Sequence, residues 1–257
     1  MDNTVTLPSG AAMPLLGFGT WQLQGRVGYD AVRYALDVGY RHLDTATIYR
    51  NEDQVGRALR ESGVPREEVF VTSKIPPREA GRERRVLSAS LAALGVDRLD
   101  LWLIHWPGGA GADLGMWQAL RSAAEDGLTR DIGVSNYSTA QIDELVTQTG
   151  SAPAVNQIRW SPALFDPVRL AHSRDRGVVL EGYSPFLASN LDDAVLAEVA
   201  AAHAVTPAQV VLRWHLDHGV VLIPRSAKPE RIAANFDVFG FRLADTEMAR
   251  LDSLGGG

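Results

Sequence analysis

Apolar and polar positions change their period along this chain in a regular order. Short runs rich in β-branched and other apolar residues, at 15–20, 40–45, 69–74, 99–105, 130–135, 154–157, 178–183 and 220–223, predict eight strands. Between them apolar residues recur at spacings of three and four. Val32, Ala35 and Leu36 form one such set, as do Val55 and Leu59, then Leu87, Leu91 and Leu94, and Met116, Leu120 and Ala124. Ile142, Leu145 and Val146 follow, then Val210, Val211 and Trp214, and Ile232, Phe236 and Phe239. Each set predicts a helix with one buried face. Strand alternating with helix is the α/β pattern. Eight repeats of the unit point to a closed (β/α)8 barrel rather than an open doubly wound sheet. Thr206-Pro207 reads as a helix start, with a capping hydroxyl and Pro in the first turn, and Gly39 and Gly177 stand where helices should stop. Residues 5–14, with Ser9-Gly10 at the turn, predict a hairpin covering the barrel bottom, and extra helices are expected at 191–203 and 246–254. No linker or repeat divides the chain, so residues 1–257 are expected to form one domain.

Composition narrows the function. The 46% hydrophobic and 22% charged content belongs to a globular protein with a large core. A net charge of −6, with no basic block, argues against a nucleic-acid partner. The sequence has no run of about 18 apolar residues, and Met1-Asp2-Asn3-Thr4 does not open a signal peptide, so the chain is expected off the membrane and in the cytoplasm. With no cysteine, any chemistry must come from oxygen and nitrogen side chains or from a cofactor. Of 25 basic residues only Lys74 and Lys228 are lysines, which singles them out where a compact, titratable ammonium is needed.

In barrels of this kind the reactive face is the carboxyl end of the strands. There the predicted strands end on Thr20-Trp21, Asp44-Thr45, Ser73-Lys74, His105-Trp106, Ser135-Asn136, Asn156-Gln157, Tyr183-Ser184 and Arg225-Ser226. Singly, each residue has a plain structural role as a cap, a turn or packing. Polar groups at all eight ends together predict a site. No GxxxxGK loop, HExxH helix, strand-borne GxGxxG or GxSxG elbow is present, and the fragment His42-x-Asp44 alone is too few ligands for a metal.

Tyr49, five residues after Asp44, falls in the loop above the mouth. A phenol titrates near 10 and serves as an acid at neutral pH only where a cation stabilises its phenolate. Lys74 can supply that cation, Asp44 can hold it, and His105 can offer a neutral N–H to a substrate oxygen. The set protonates a carbonyl oxygen but has no group to attack carbon, which points to hydride from a nicotinamide. Ser135, Asn136 and Gln157 are placed to meet the carboxamide, and the Tyr183 ring to stack on the nicotinamide. Arg225, Lys228 and Arg231, after the eighth strand and at a helix start, suit the 2′-phosphate of NADPH.

These residues lie in segments that resemble the aldo-keto reductases, most closely their short bacterial branch, which includes the 2,5-diketo-gluconate reductases. The segments are Gly17-Phe18-Gly19-Thr20-Trp21, the run from Gly39 to Glu52, Thr72-Ser73-Lys74, Leu103-Ile104-His105-Trp106-Pro107, Ile132-Gly133-Val134-Ser135-Asn136-Tyr137, Val155-Asn156-Gln157, Tyr183-Ser184-Pro185 and Ile223-Pro224-Arg225-Ser226. The resemblance implies a single (β/α)8 domain, an NADPH cofactor bound without a Rossmann fold, and a catalytic tetrad on Asp44, Tyr49, Lys74 and His105. It implies cofactor contacts at Ser135, Asn136, Gln157, Tyr183, Ser184, Pro185, Pro224, Arg225, Ser226, Lys228, Arg231 and Asn235. It also implies a monomer that acts on a small carbonyl compound, in a pocket lined by Trp21, Ile48, Tyr49 and Trp106. This sequence departs from its relatives at Arg225 in place of the usual Lys, at Ala234 in place of a Glu, at Pro76 in place of a pocket Trp, and at Arg159-Trp160-Ser161 in place of Glu-Leu-His. Two other readings stay open: a dinucleotide-binding sensor on the same fold, and a barrel hydrolase or isomerase using Asp44 and His105 with a metal.

Overall fold

A computed structural model describes residues 3–255, apart from the side chains of Ala110 and Ala112. The expected domain span of 1–257 therefore reaches two residues past the described chain at each end. The first elements are the two hairpin strands, β1 (Thr4–Thr6) and β2 (Ala12–Pro14), paired antiparallel around Gly10 at φ +84°. Eight parallel strands follow in sequential order: β3 (Phe18–Gly19), β4 (His42–Asp44), β5 (Phe70–Ile75), β6 (Leu99–Ile104), β7 (Thr129–Ser135), β8 (Val155–Arg159), β9 (Val179–Tyr183) and β10 (Val221–Ile223). The sheet closes on itself. Gly17 N donates to Leu222 O (2.8 Å), Leu222 N to Leu15 O (2.9 Å) and Gly19 N to Pro224 O (3.1 Å), which joins the first strand to the last. Gly17 is required at this seam, because a Cβ there would lie 2.5 Å from His42 Nδ1 and 2.9 Å from Ile223 Cγ2.

The helices are α1 (Gly25–Val38), α2 (Glu52–Glu61), α3 (Glu83–Leu94), α4 (Ala110–Glu125), α5 (Thr139–Thr149), α6 (Pro167–Asp175), α7 (Ala194–His203), α8 (Pro207–Asp217), α9 (Pro229–Phe236) and α10 (Asp245–Asp252). Their apolar faces pack on the outer sides of the strands. Val32, Leu36, Leu59, Leu87, Leu120 and Leu145 meet outward-facing Leu43, Val71, Trp102 and Val134 in one continuous core. Thr206 caps α8 reciprocally with Gln209, and Gly39 ends α1 at φ +123°.

Differences from the sequence pattern are local. Helix α6 carries little apolar period, with Leu170 its one buried large apolar residue, and its start is set by Asp166, whose carboxylate accepts from Val168 N and Arg169 N. Helix α7 begins at Ala194 rather than 191 because Asp193 caps it through Val195 N. Helix α9 stops at Phe236, and Phe239 packs on the core from outside it. The C-terminal helix ends at Asp252 and continues as a 3-10 turn, Ser253–Gly255.

Alternation along the strands divides the barrel interior into layers. The bottom layer is apolar: Phe70, Leu101, Leu103, Val155 and Val221 close on Leu7 and Met13 of the hairpin, which plugs that end. Ser9 fastens the plug through bonds to both carboxylate oxygens of Asp131 on β7. Further toward the carboxyl ends of the strands, on the inward face, the interior turns polar: His42 and Asp44, Thr72 and Lys74, Gln157, and Glu181, all buried. The site stands on this layer.

Candidate active site

Strand β5 carries Lys74 to the top of the barrel with no exposed surface. A buried ammonium needs partners on every side, and this one has them. Nζ donates to Asp44 Oδ1 (2.6 Å) and Oδ2 (2.7 Å) on the neighbouring strand β4 and to Thr45 O (2.9 Å), and faces the Tyr49 hydroxyl at 3.4 Å. Burial works against the charge of Lys74, but the Asp44 carboxylate and then Tyr49 outweigh it and hold the ammonium above its ordinary value. Burial likewise pushes Asp44 up, while the charge of Lys74 and bonds from Lys74 and Gln157 draw it back toward the ionised form. The two-oxygen contact is that of an ion pair.

Tyr49 sits on a 3-10 turn, Thr47–Tyr49, at the end of which Arg50 adopts φ +55°. The loop is held beneath by Asn51, whose amide donates to Thr20 O and Leu23 O (both 2.8 Å) and whose oxygen accepts from Thr45. Glu52 ties its base to Ser73 and Ser90. The acidity expected of the phenol is corrected here. Burial dominates and raises Tyr49 above its ordinary value, and Lys74 draws it only part of the way back, because 3.4 Å is long for a hydrogen bond. The resting side chain is a protonated phenol.

His105 follows β6, with its ring 5.7 Å from that of Tyr49 and stacked on Trp106 at 3.8 Å. Burial first, then Lys74 and Arg78, lower its pKa to about 2, so the imidazole is neutral at any ordinary pH. Its buried Nδ1 has no protein partner. The four expected catalytic side chains therefore converge at one end of the barrel.

The residues expected to hold a carboxamide come together, with more internal bonding than their types suggest. Asn136, left-handed at φ +65°, donates to His105 O (3.1 Å) and Ser135 Oγ (3.0 Å) and accepts from Tyr183 Oη (2.8 Å). Ser135 Oγ donates to Gln157 O. Both amide hydrogens of Gln157 are used, on Asp44 Oδ2 (2.8 Å) and Glu181 Oε2 (2.9 Å). Among the described residues its Oε1 accepts from no donor, and Asn136 Oδ1 accepts one bond where it can take two. What remains on offer is a set of acceptors, which fits the N–H2 end of a carboxamide. Ser184, at φ +52°, and buried Pro185 continue from Tyr183.

After β10, Pro224 is buried, Ser226 is nearly so, and Arg225, Lys228 and Arg231 are exposed, with no ion-pair partner among the described residues. The free N–H groups expected at the start of α9 are mostly taken: Arg231 N and Ile232 N both bond Lys228 O, and Pro229 has none. What the segment presents is therefore side-chain charge rather than free helix amides. Asn235 is buried on α9 with its amide unpaired. The residues expected to line the substrate pocket lie around the mouth. Trp106 (39% exposed) and Ile48 flank the tetrad, whereas Trp21 (49% exposed) lies under the Arg225 guanidinium at 5.9 Å.

Comparison with known proteins follows the same residues. The model of the aldo/keto reductase family matches residues 15–255. The chain belongs to the aldo/keto reductase family. It is 42% identical over 256 residues to 2,5-diketo-D-gluconic acid reductase B of a Corynebacterium, covering 98% of this chain and 92% of that protein. The crystal structure of an aldo/keto reductase from Brucella melitensis superposes with a TM-score of 0.95 at 37% identity, over 99% of this chain and all of that one. A Bombyx mori aldo-keto reductase solved in complex with NADP superposes at 0.90 and 33% identity, over 98% of this chain and 92% of that one. The (β/α)8 barrel and the resemblance to the short bacterial branch therefore stand.

Sequence reasoning missed Glu181 and set aside His42. In this aldo/keto reductase the two are buried neighbours, with His42 Nε2 3.7 Å from Glu181 Oε1 and 3.2 Å from Thr72 Oγ1. The signal was parity: Glu181 stands two residues before Tyr183, as His42 stands two before Asp44, on the inward face of a barrel strand. Both oxygens of Asp44 face Lys74, so His42-x-Asp44 does not form a pair of ligands aimed at one point.

Proposed function

We propose that this protein reduces aldehydes or ketones to alcohols with NADPH, Tyr49 giving the proton. The observation that carries the reading is the buried Lys74 ammonium, seated on Asp44 and facing the Tyr49 hydroxyl beside a neutral His105. A bound reduced nicotinamide supplies a hydride to the carbonyl carbon. The protein's residues govern the oxygen. A neutral His105 N–H orients it, and the Tyr49 proton passes to it as negative charge develops. The phenolate left on Tyr49 is stabilised by Lys74, and Asp44 keeps that lysine charged. Burial keeps Tyr49 protonated at rest, and the Lys74 charge works against that burial by lowering the cost of giving up the proton.

Gln157, Asn136 and Ser135 would hold the carboxamide, the Tyr183 ring the nicotinamide face, and Ser184, Pro185 and Pro224 the adjoining wall. Arg225, Ser226, Lys228 and Arg231 would hold the 2′-phosphate, and Asn235 the adenine. The unpaired state of those cations supports the choice of NADPH over NADH. Trp21, Ile48 and Trp106 would line the substrate pocket, which the exposure of both tryptophans leaves wide. We read the working form as a cytoplasmic monomer. The test is titration of the purified protein with NADPH followed by nicotinamide fluorescence, then loss of reduced-cofactor absorbance on adding aldehydes, α-diketones and keto sugars. Binding without turnover on any carbonyl would favour a sensor, and no binding would remove the reductase reading.

A further inference from the structure

Beneath the catalytic pair lies a second carboxylate that the reaction does not use. Glu181 is fully buried on β9, paired in register with Gln157 on β8, and the Gln157 amide nitrogen bridges its Oε2 (2.9 Å) and Asp44 Oδ2 (2.8 Å). A glutamine amide can flip, exchanging its oxygen and nitrogen at little cost unless its neighbours decide. Here they do. Two carboxyl oxygens below, Asp44 Oδ2 and Glu181 Oε2, accept both N–H groups, and the flipped amide would set its oxygen against two acceptors. The oxygen is thereby turned away from both carboxylates, and it is the polar atom of Gln157 left without a protein partner.

Asp44 accepts one of the two hydrogens and shares its oxygens with Lys74, which leaves the second hydrogen to Glu181. We propose that Glu181 is a positioning residue for the dinucleotide: by accepting the second N–H of Gln157 it fixes the amide oxygen as an acceptor for the carboxamide N–H2. Glu181 can do so as a neutral acid with its proton on Oε1, which leaves Oε2 an acceptor for Gln157. Asp44 and Glu181 share a single buried cation, Lys74, and His42 beside Glu181 is itself held neutral by burial. Glu181 Oε1 is buried with no donor, which a neutral carboxyl tolerates and a carboxylate does not. Burial, then the charge of Asp44, raises Glu181 to about 8.

This inference rests on the reading that Gln157 meets a nicotinamide carboxamide, and the experiment separates the two. Dissociation constants for NADPH are measured by fluorescence titration for the wild type, Glu181→Leu and Glu181→Gln, with kcat at saturating NADPH. In Glu181→Leu the dissociation constant rises about tenfold, the size of one hydrogen bond, while kcat at saturation stays within about threefold. Glu181→Gln keeps an oxygen acceptor and restores affinity to within about twofold of wild type. A second readout needs no cofactor: the side-chain amide protons of Gln157, followed by NMR hydrogen exchange, are protected in the wild type and in Glu181→Gln and exchange faster in Glu181→Leu. Equal NADPH affinity in wild type and Glu181→Leu, with equal Gln157 protection, overturns the inference and leaves the reductase reading standing. If Glu181→Leu fails to fold, a loss of affinity in Glu181→Gln as large as the loss of Gln157 itself overturns it. A flat wild-type titration overturns both.

Discussion

On the proposed reading Tyr49 is the acid, with Lys74 facing its hydroxyl and Asp44 and His105 beside it. Removing the hydroxyl while keeping the ring tests this without disturbing packing. Tyr49→Phe is expected to lower kcat by about 10³-fold or more, within the range general acids contribute, and to leave the NADPH dissociation constant within a few-fold. Steady-state kinetics together with a fluorescence titration check it, and retained turnover would place the proton donor elsewhere. Asp44, Lys74 and His105 were legible because each lies at the polar end of a strand, and Tyr49 because it follows Asp44 by five residues in the loop above. Glu181 was not, since a mid-strand Glu reads as solvent-facing until the inward parity of that strand is known. Nor could residue type tell that Asn136 and Ser135 spend their donors on each other, on His105 O and on Gln157 O.

At the scale of elements, the reading of alternating period placed all eight barrel strands and most helices, and erred where side chains rather than propensity set a boundary. Asp193 and Asp166 start α7 and α6 by accepting backbone N–H groups, a signal carried by one residue each. Two predictions belong here. The loop from β10 into α9 presents Arg225, Lys228 and Arg231 with few free helix amides, so the proposed recognition of a 2′-phosphate would depend on side-chain charge. Arg231→Ala or Arg225→Ala is expected to weaken NADPH about tenfold or more and NADH by less than about threefold, as read from the two Michaelis constants. Equal losses would remove these residues from the phosphate site. At the seam, Gly17→Ala would press a methyl on His42 and Ile223, so urea denaturation should show a loss of about 1 to 3 kcal/mol.

For the whole molecule, the buried polar layer ties stability to pH in both directions. His42 and His215 are fully buried, and their pKa values fall to about 3 and about 4, both through burial first. His105 falls to about 2. Unfolded, these rings bind protons near 6.5 and the folded ones do not, so their contribution is intact above pH 6.5 and is lost as pH drops toward 4. Glu181 acts in the opposite sense: the unfolded carboxyl ionises near 4.5 but the folded one only at about 8, so folding weakens as pH rises across that window. Stability should therefore peak near neutrality. It should fall from pH 6.5 to 8 through Glu181 and more steeply on the acid side, where three buried rings act together. Thermal melts from pH 4.5 to 8 check this, and Glu181→Gln should flatten the alkaline limb alone. A wild-type profile that keeps rising to pH 8 would mean that Glu181 is ionised in the folded protein.

The bonds that join residues 15–19 to residues 222–224 also order events during synthesis. The first strand leaves the ribosome some 200 residues before its second neighbour exists, a wait of about 10 to 40 s at ordinary translation rates. Through that interval its unpaired edge is open to other nascent chains. Thr20 and Arg225, next to that edge on opposite sides, can take their places only once nearly the whole polypeptide has been made. Truncated translation products should therefore bind no dinucleotide, however much of the remaining sheet they contain.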